Sequence, residues 1–246
     1  MISNFKIIIE YDGTHYHGWQ RQKEDRTVQG EIENALQTIT GTQITLTGSG
    51  RTDSGVHALN QVANFHCETS LASNVFEKGL NSLLPDDIVV KECRKVHDSF
   101  HARYDAKSKI YQYRILNRPV ATAIGRQYTW FIRKNLNKTA MRKAISLIIG
   151  IHDFKAFEGS GSPRTHTKRH VMAADLLQED DATLVFHIEA DGFLKFMVRN
   201  IVGTLVEVGL SKISPDEFNK ILKSKDRSKA GPTAPAKGLH LIEVKY

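Results

Sequence analysis

Apolar residues change period along this chain in an order that runs twice, and no other feature constrains the fold as much. Residues 6–11 have the length and apolar content of a strand. Thr27 then caps a helix whose Val28, Ile32, Ala35, Leu36 and Ile39 fall on one face, with Gly41 as its stop. Residues 43–47 and 61–68 read as strands around a glycine-rich turn. Residues 73–84 read as a second helix closed by Pro85, and 88–96 as another strand.

From Lys109 the order begins again. Residues 109–116 alternate, with Tyr111, Tyr113 and Ile115 on one face. Asn137 starts a helix carrying Met141, Ala144, Ile145 and Ile148, closed by Gly150. Strands at 171–177 and 183–190 precede a strongly apolar helix over 193–210. Ser214, Pro215 and Glu217 supply a cap, a first-turn proline and a capping-box acid for the next helix, and 238–246 finishes as a strand. This order predicts an α+β fold of two similar halves, residues 1–105 and 106–246. Each is a mostly antiparallel sheet with helices on one face, the sheets meeting around a central basic cleft. No low-complexity linker separates the halves, so docked halves are expected rather than beads on a string.

Charge divides the same way. Residues 1–105 hold 10 Lys and Arg against 14 Asp and Glu, whereas residues 106–246 hold 24 against 13. A half with a net charge of +11 attracts polyanions such as RNA, with an affinity that falls steeply as salt rises. A merely solubilising surface has the same composition, so charge opens the nucleic-acid reading without deciding it. No window approaches the roughly 18–20 apolar residues that span a bilayer, and the start lacks a basic-then-apolar leader. Two cysteines, Cys67 and Cys93, are too few for a disulfide framework or a cysteine cage. A soluble protein of the reduced cytoplasm is expected, without a membrane partner.

The densest chemical signal is GSGRTDSGVH at 48–57. Glycines at 48, 50 and 55 permit a tight turn and close approach of a ligand to the backbone, and Arg51, Asp53 and His57 fall within it. A plain hairpin loop whose Asp bonds its own backbone has the same composition. The second signal is FLKFMVRNIVGTLVEV at 193–208, a helix apolar nearly all round and therefore buried. It carries Arg199 and Asn200 where a charge needs a partner. A structural salt bridge or a snorkelling side chain accounts for Arg199, and so does pairing with Asp53, which would hold that carboxylate ionised. Third, Tyr111 and Tyr113 lie among Lys107, Lys109 and Arg114, which suits base stacking beside phosphate contacts as well as ordinary core filling. The histidines form no HExxH or closed Cys/His set, and there is no Walker A loop or GxGxxG opening a helix, so neither a metal nor a nucleotide cofactor is expected.

These strings, together with IEYDGTHYHGWQRQ, TVQGEIENAL, FHARYDAKSKIYQYRI, HDFKAF and GPTAPAKGL, resemble the tRNA pseudouridine synthase A family over nearly the whole chain. The resemblance implies Asp53 as the catalytic aspartate, Tyr111 as the ring stacked on the target uracil, and Arg199 as its basic partner. It implies Arg51 as the arginine that steadies RNA around the flipped nucleotide. It further implies an isomerase acting without cofactor, as a homodimer, on uridines 38, 39 and 40 of the tRNA anticodon stem-loop. The segment SGSPRTHTKRHV departs from the family pattern, and its Arg164 and Lys168 are given no role. Two other readings compete: a non-catalytic RNA-binding or chaperone protein on the same fold, and a metal-independent RNA hydrolase using Asp53 and His57.

Overall fold

The computed structural model describes residues 2–161 and 166–246, so Arg164 lies outside the described residues. The chain is α+β, with ten strands and five α-helices among those residues. It forms two compact units, Met1–Lys107 with His240–Tyr246, and Ser108–Leu239. The last strand, which the sequence assigned to the second half, thus groups with the first.

In the first unit, β1 (Ile2–Tyr11) lies between β4 (Ile88–Val96) and β3 (His57–Glu68), antiparallel to both. β10 (Leu239–Lys245) pairs parallel with the start of β3, His240 opposite His57. Alternation in β1 sends Phe5, Ile7 and Ile9 to one fully buried face. Phe5 stacks on Phe65 of β3 at 5.3 Å and meets Phe76 of α2 (Ser73–Leu83) at 4.8 Å, which fixes that helix on the sheet. The opposite face is closed by the segment after β4 and by Tyr246, which follows β10. Asn4 donates to the Phe100 carbonyl at 2.9 Å, and the Lys6 ammonium sits 4.6 Å from the Tyr246 ring centre. That burial lowers the lysine's pKa, with Arg94 adding to the effect.

Helix α1 (Val28–Thr40) starts and stops where its residues require. The Thr27 hydroxyl accepts from Gly30 N–H, and Gly41 is left-handed at φ 71°. The strand expected over 43–47 shrinks to β2 (Thr47–Gly48). At Leu46 the backbone is taken by α1 side chains instead: its N–H donates to Glu33 Oε1 at 2.9 Å, and its carbonyl accepts from Gln29 Nε2 at 2.9 Å. A backbone satisfied by side chains has no need of a sheet partner.

The second unit is built on β5 (Ser108–Asn117), β9 (Thr183–Ala190), β8 (Lys168–Gln178) and β7 (Gly150–Asp153), successive neighbours paired antiparallel. A short β6 (Trp130–Ile132) runs parallel to β5. Helices α3 (Lys138–Ser146), α4 (Met197–Gly209) and α5 (Pro215–Ser224) complete it. Helix α5 has the full reciprocal capping box between Ser214 and Glu217. Helix α4 begins four residues later than expected, because Phe196 takes a left-handed conformation at φ 60° and ends any helix entering from Phe193. Among the described residues no helix is long and apolar enough to cross a membrane.

Candidate active site

The loop carrying Asp53 is held from two directions within the first unit. From β3, Val62 O accepts from Ser49 N–H at 2.7 Å, Gln61 Oε1 accepts from the Ser49 hydroxyl at 2.6 Å, and Gln61 Nε2 donates to Gly50 O at 3.0 Å. From the other side, the segment after β1 wraps the loop. Trp19 N–H donates to Thr52 O at 3.1 Å, and the buried Tyr11 hydroxyl meets the Thr52 hydroxyl at 2.7 Å. Burial pushes the Tyr11 phenol up, so it stays a neutral partner. Tyr16 O accepts from the Ser54 hydroxyl at 3.2 Å and from Gly55 N–H at 3.3 Å. Gly18 has φ +93°, and a Cβ there would lie 2.6 Å from Thr52 O, so this contact needs glycine. The ladder irregularity between Ile9 and Tyr11 in the β1–β3 pair marks where the chain leaves the sheet to make this wrap.

Between these supports Asp53 is half-buried, and its carbonyl accepts from Val56 N–H at 3.1 Å to close the turn. Arg51 is exposed, and its Nε donates to Gln20 Oε1 at 3.0 Å. Anchored at Nε, its guanidinium presents two terminal nitrogens, the arrangement suited to a phosphate. His57 lies at the start of β3 rather than in the turn. It is 3% exposed, its ring stacks on His240 at 4.8 Å, and its Nδ1 meets Gly13 N at 3.1 Å and Asp12 Oδ1 at 3.0 Å. That imidazole is built into the base of the loop, which does not suit a general base reaching into RNA.

Tyr111 and Arg199 belong to the second unit. Tyr111 is 7% exposed and packs edge-on against Phe193 at 4.9 Å between ring centres. Tyr113, on the same strand face, is fully buried and donates to Pro235 O at 2.7 Å. Burial raises the Tyr113 phenol, and the nearby Arg199 charge pulls the other way. The sequence expected Arg199 in a wholly buried helix face, but it is half-buried at the first turn of α4. Its Nε donates to Ala234 O at 2.8 Å, and its guanidinium carbon lies 4.9 Å from the centre of the Phe196 ring. Asn200 beside it is fully buried; its Nδ2 donates to Phe157 O at 2.8 Å, while its Oδ1 accepts from Thr233 and Arg227.

Sequence reasoning placed Arg51 and Asp53 in one loop, and the structure does so. It missed the residues that hold the loop, above all Tyr11, Trp19, Gln20 and Gln61. The signals available for them were Gly13 and Gly18 in the YDGTHYHGW string, since paired glycines near aromatics mark close backbone approach. Among the described residues no group of three or more His, Cys, Asp or Glu side chains could hold a metal ion.

The sequence model of a family described as tRNA pseudouridine synthase matches residues 7–105 and 144–246, which include the Asp53 loop and α4 but not Tyr111. A protein named tRNA pseudouridine synthase A from Thermoanaerobacter sp. (strain X514) is 52% identical over 243 residues, 99% of each chain. Proteins of the same name from Acetivibrio thermocellus and Clostridium acetobutylicum are 49% identical over 99% of each chain and 46% identical over 100% of each.

Proposed function

The chain belongs to the tRNA pseudouridine synthase family, and on that premise we propose that it isomerises uridine to pseudouridine in the anticodon stem-loop of tRNA, with Asp53 as its catalytic carboxylate. The observation that carries this reading is the Asp53 loop, a carboxylate on a turn braced from both sides by buried hydrogen bonds, in a chain whose likeness to its relatives spans 99% of its length.

The reaction breaks the N1–C1′ glycosidic bond, turns the uracil and joins its C5 to C1′. The proton on C5 leaves to solvent and N1 gains one, so the change balances with no oxidant, reductant or energy source. A carboxylate stabilises or captures an electron-poor C1′ as glycosidase carboxylates do. The target base must first leave its stack, at a cost of a few kcal/mol. We assign Tyr111 to stack on the flipped uracil and offset part of that cost, Arg199 to act as its basic partner, and Arg51 to hold the RNA backbone beside it. The resemblance adds uridines 38, 39 and 40 as targets and a homodimer as the working form, and the scarcity of cysteines favours the reduced cytoplasm as its location.

One assay tests the reading. Unmodified tRNA with tritium at uridine C5 is incubated with the protein, and released tritium and RNA length are followed together. Release from intact RNA is expected. Cleaved RNA would favour a hydrolase, and bound, intact RNA without release would favour a non-catalytic RNA-binding protein.

A further inference from the structure

Behind the Asp53 loop runs a chain of side-chain amides that fixes the direction of Arg51. It begins in the core at Glu33, 5% exposed, whose Oε1 accepts from Leu46 N–H at 2.9 Å and from Gln29 Nε2 at 2.8 Å. Gln29 is as deeply buried, and backbone groups dictate its orientation. Its Nε2 also donates to Leu46 O at 2.9 Å, while its Oε1 accepts from Arg21 N–H at 3.0 Å. A carbonyl can only accept and a backbone amide can only donate, so this glutamine has one permitted amide orientation. Its Oε1 also accepts from Gln20 Nε2 at 2.6 Å. Gln20 must therefore turn its own Oε1 outward, where it accepts from Arg51 Nε at 3.0 Å. Each amide leaves the next a single orientation, and the last group set is a guanidinium.

An exposed arginine left alone explores many rotamers and loses that freedom when it binds, so holding it in one direction beforehand lowers the cost of binding. Glutamine is the side chain that accepts from Arg51 and donates to Gln29 at once. Asn is a methylene shorter, Glu lacks the donor, and Met lacks both groups. We propose that Gln20 is a positioning residue for RNA engagement, acting through Arg51, with Gln29 as the buried group that orients it. This rests on the reading that Arg51 holds the substrate backbone.

The test is a double-mutant cycle on tritium release and tRNA binding, using Gln20→Met, Arg51→Ala and the pair, in the full-length protein. Gln20→Met keeps the side-chain length and loses both hydrogen bonds, so kcat/KM is expected to fall about 3- to 10-fold while the thermal midpoint stays within a few degrees. Arg51→Ala is expected to lose at least about tenfold, and Gln20→Met to cost nothing further in that background. Losses that multiply in the double variant would overturn the proposal, because Gln20 would then act independently of Arg51. So would an active-as-wild-type Gln20→Met protein alongside an impaired Arg51→Ala protein. An Arg51→Ala protein with undiminished kcat/KM would instead remove the assigned role of Arg51, and the proposal with it. Should Gln20→Met melt well below the wild type, Gln20→Ala is run in the same cycle, and the same non-additivity decides.

Discussion

At the scale of single residues, the proposed function rests on one carboxylate and one ring. Asp53→Asn keeps the shape and most of the hydrogen-bonding capacity of the side chain and removes its charge. Turnover is expected to fall by several powers of ten, about what losing an essential nucleophile or charge stabiliser costs. The comparison is made after circular dichroism and a tRNA gel shift show a folded, binding variant, and tritium release near the wild-type rate would exclude Asp53 as the catalytic group. Tyr111→Phe retains the face and the edge contact with Phe193, so tRNA affinity should be nearly unchanged, as a gel-shift titration will measure. A variant that no longer bound tRNA would refute the stacking role. Arg51 and Asp53 were legible in the sequence because their motif is local, ten residues written without a gap. Their supports were not, because they are long-range pairs: Tyr11 meets Thr52 across 41 residues, and Arg51 meets Gln20 across 31. No periodicity or propensity encodes such a pair.

At the scale of elements, the sequence gives good warning of helices that cap themselves and poor warning where side chains displace the backbone's expected partner. Helices α1 and α5 begin where Thr27 and Ser214 cap them. Residues 43–46 are strand-like in composition, yet Glu33 and Gln29 claim the backbone of Leu46; β6 and β7, three and four residues long, carry too little pattern to be read. The start of α4 was misjudged because residues 193–196 continue its apolar run while Phe196 turns left-handed. That helix places Arg199, and its close contact with the chain at Gly231–Ala234 depends on Gly203, where a Cβ would overlap the Pro232 carbonyl oxygen. Gly203→Ala is expected to destabilise the protein by about 1–3 kcal/mol, the usual cost of overpacking, and to lower tritium release by moving Ala234 O from the Arg199 guanidinium. An unchanged thermal midpoint would refute that packing argument. A second element-scale link joins β7 to the C-terminal end of α5, where Asp153 accepts from the Thr167 hydroxyl at 2.5 Å and from Lys225 at 3.0 Å. Burial alone would raise this carboxyl, but the Thr167, Lys225 and Lys155 contacts outweigh it and hold it below its ordinary 3.8. Its contribution is therefore present above that pH and lost as pH falls through the lower folded value. The stability gap between wild type and Asp153→Asn, followed by thermal melts, should narrow below pH 3.8; a gap constant from pH 7 to pH 2 would contradict the assignment.

At the scale of the whole molecule, the compact units keep the charge division of the sequence halves nearly unchanged. The first unit holds 12 Lys and Arg against 15 Asp and Glu, and the second, Ser108–Leu239, holds 22 against 12. The Asp53 loop and the larger share of the basic residues thus belong to different units, and on the proposed function the polyanion's bulk affinity should come chiefly from the second. A carboxylate that must approach C1′ of an RNA gains nothing from long-range attraction, since its own charge repels the backbone. On the proposed function, cations such as Arg51 have to supply the approach. Binding carried this way releases counterions, so the logarithm of tRNA affinity should fall linearly with the logarithm of salt, with a slope of about −0.9 for each phosphate neutralised. Removing Arg51, assigned to the RNA backbone, should reduce that slope by roughly one, whereas Asp53→Asn should leave it unchanged or slightly steeper. If the working form is a dimer, a tRNA that draws on cations of both copies should show a steep slope only at protein concentrations where light scattering finds the dimer. A steep slope and full activity at a concentration where scattering finds monomer would refute the dimer, and a flat slope at any concentration would refute the electrostatic account.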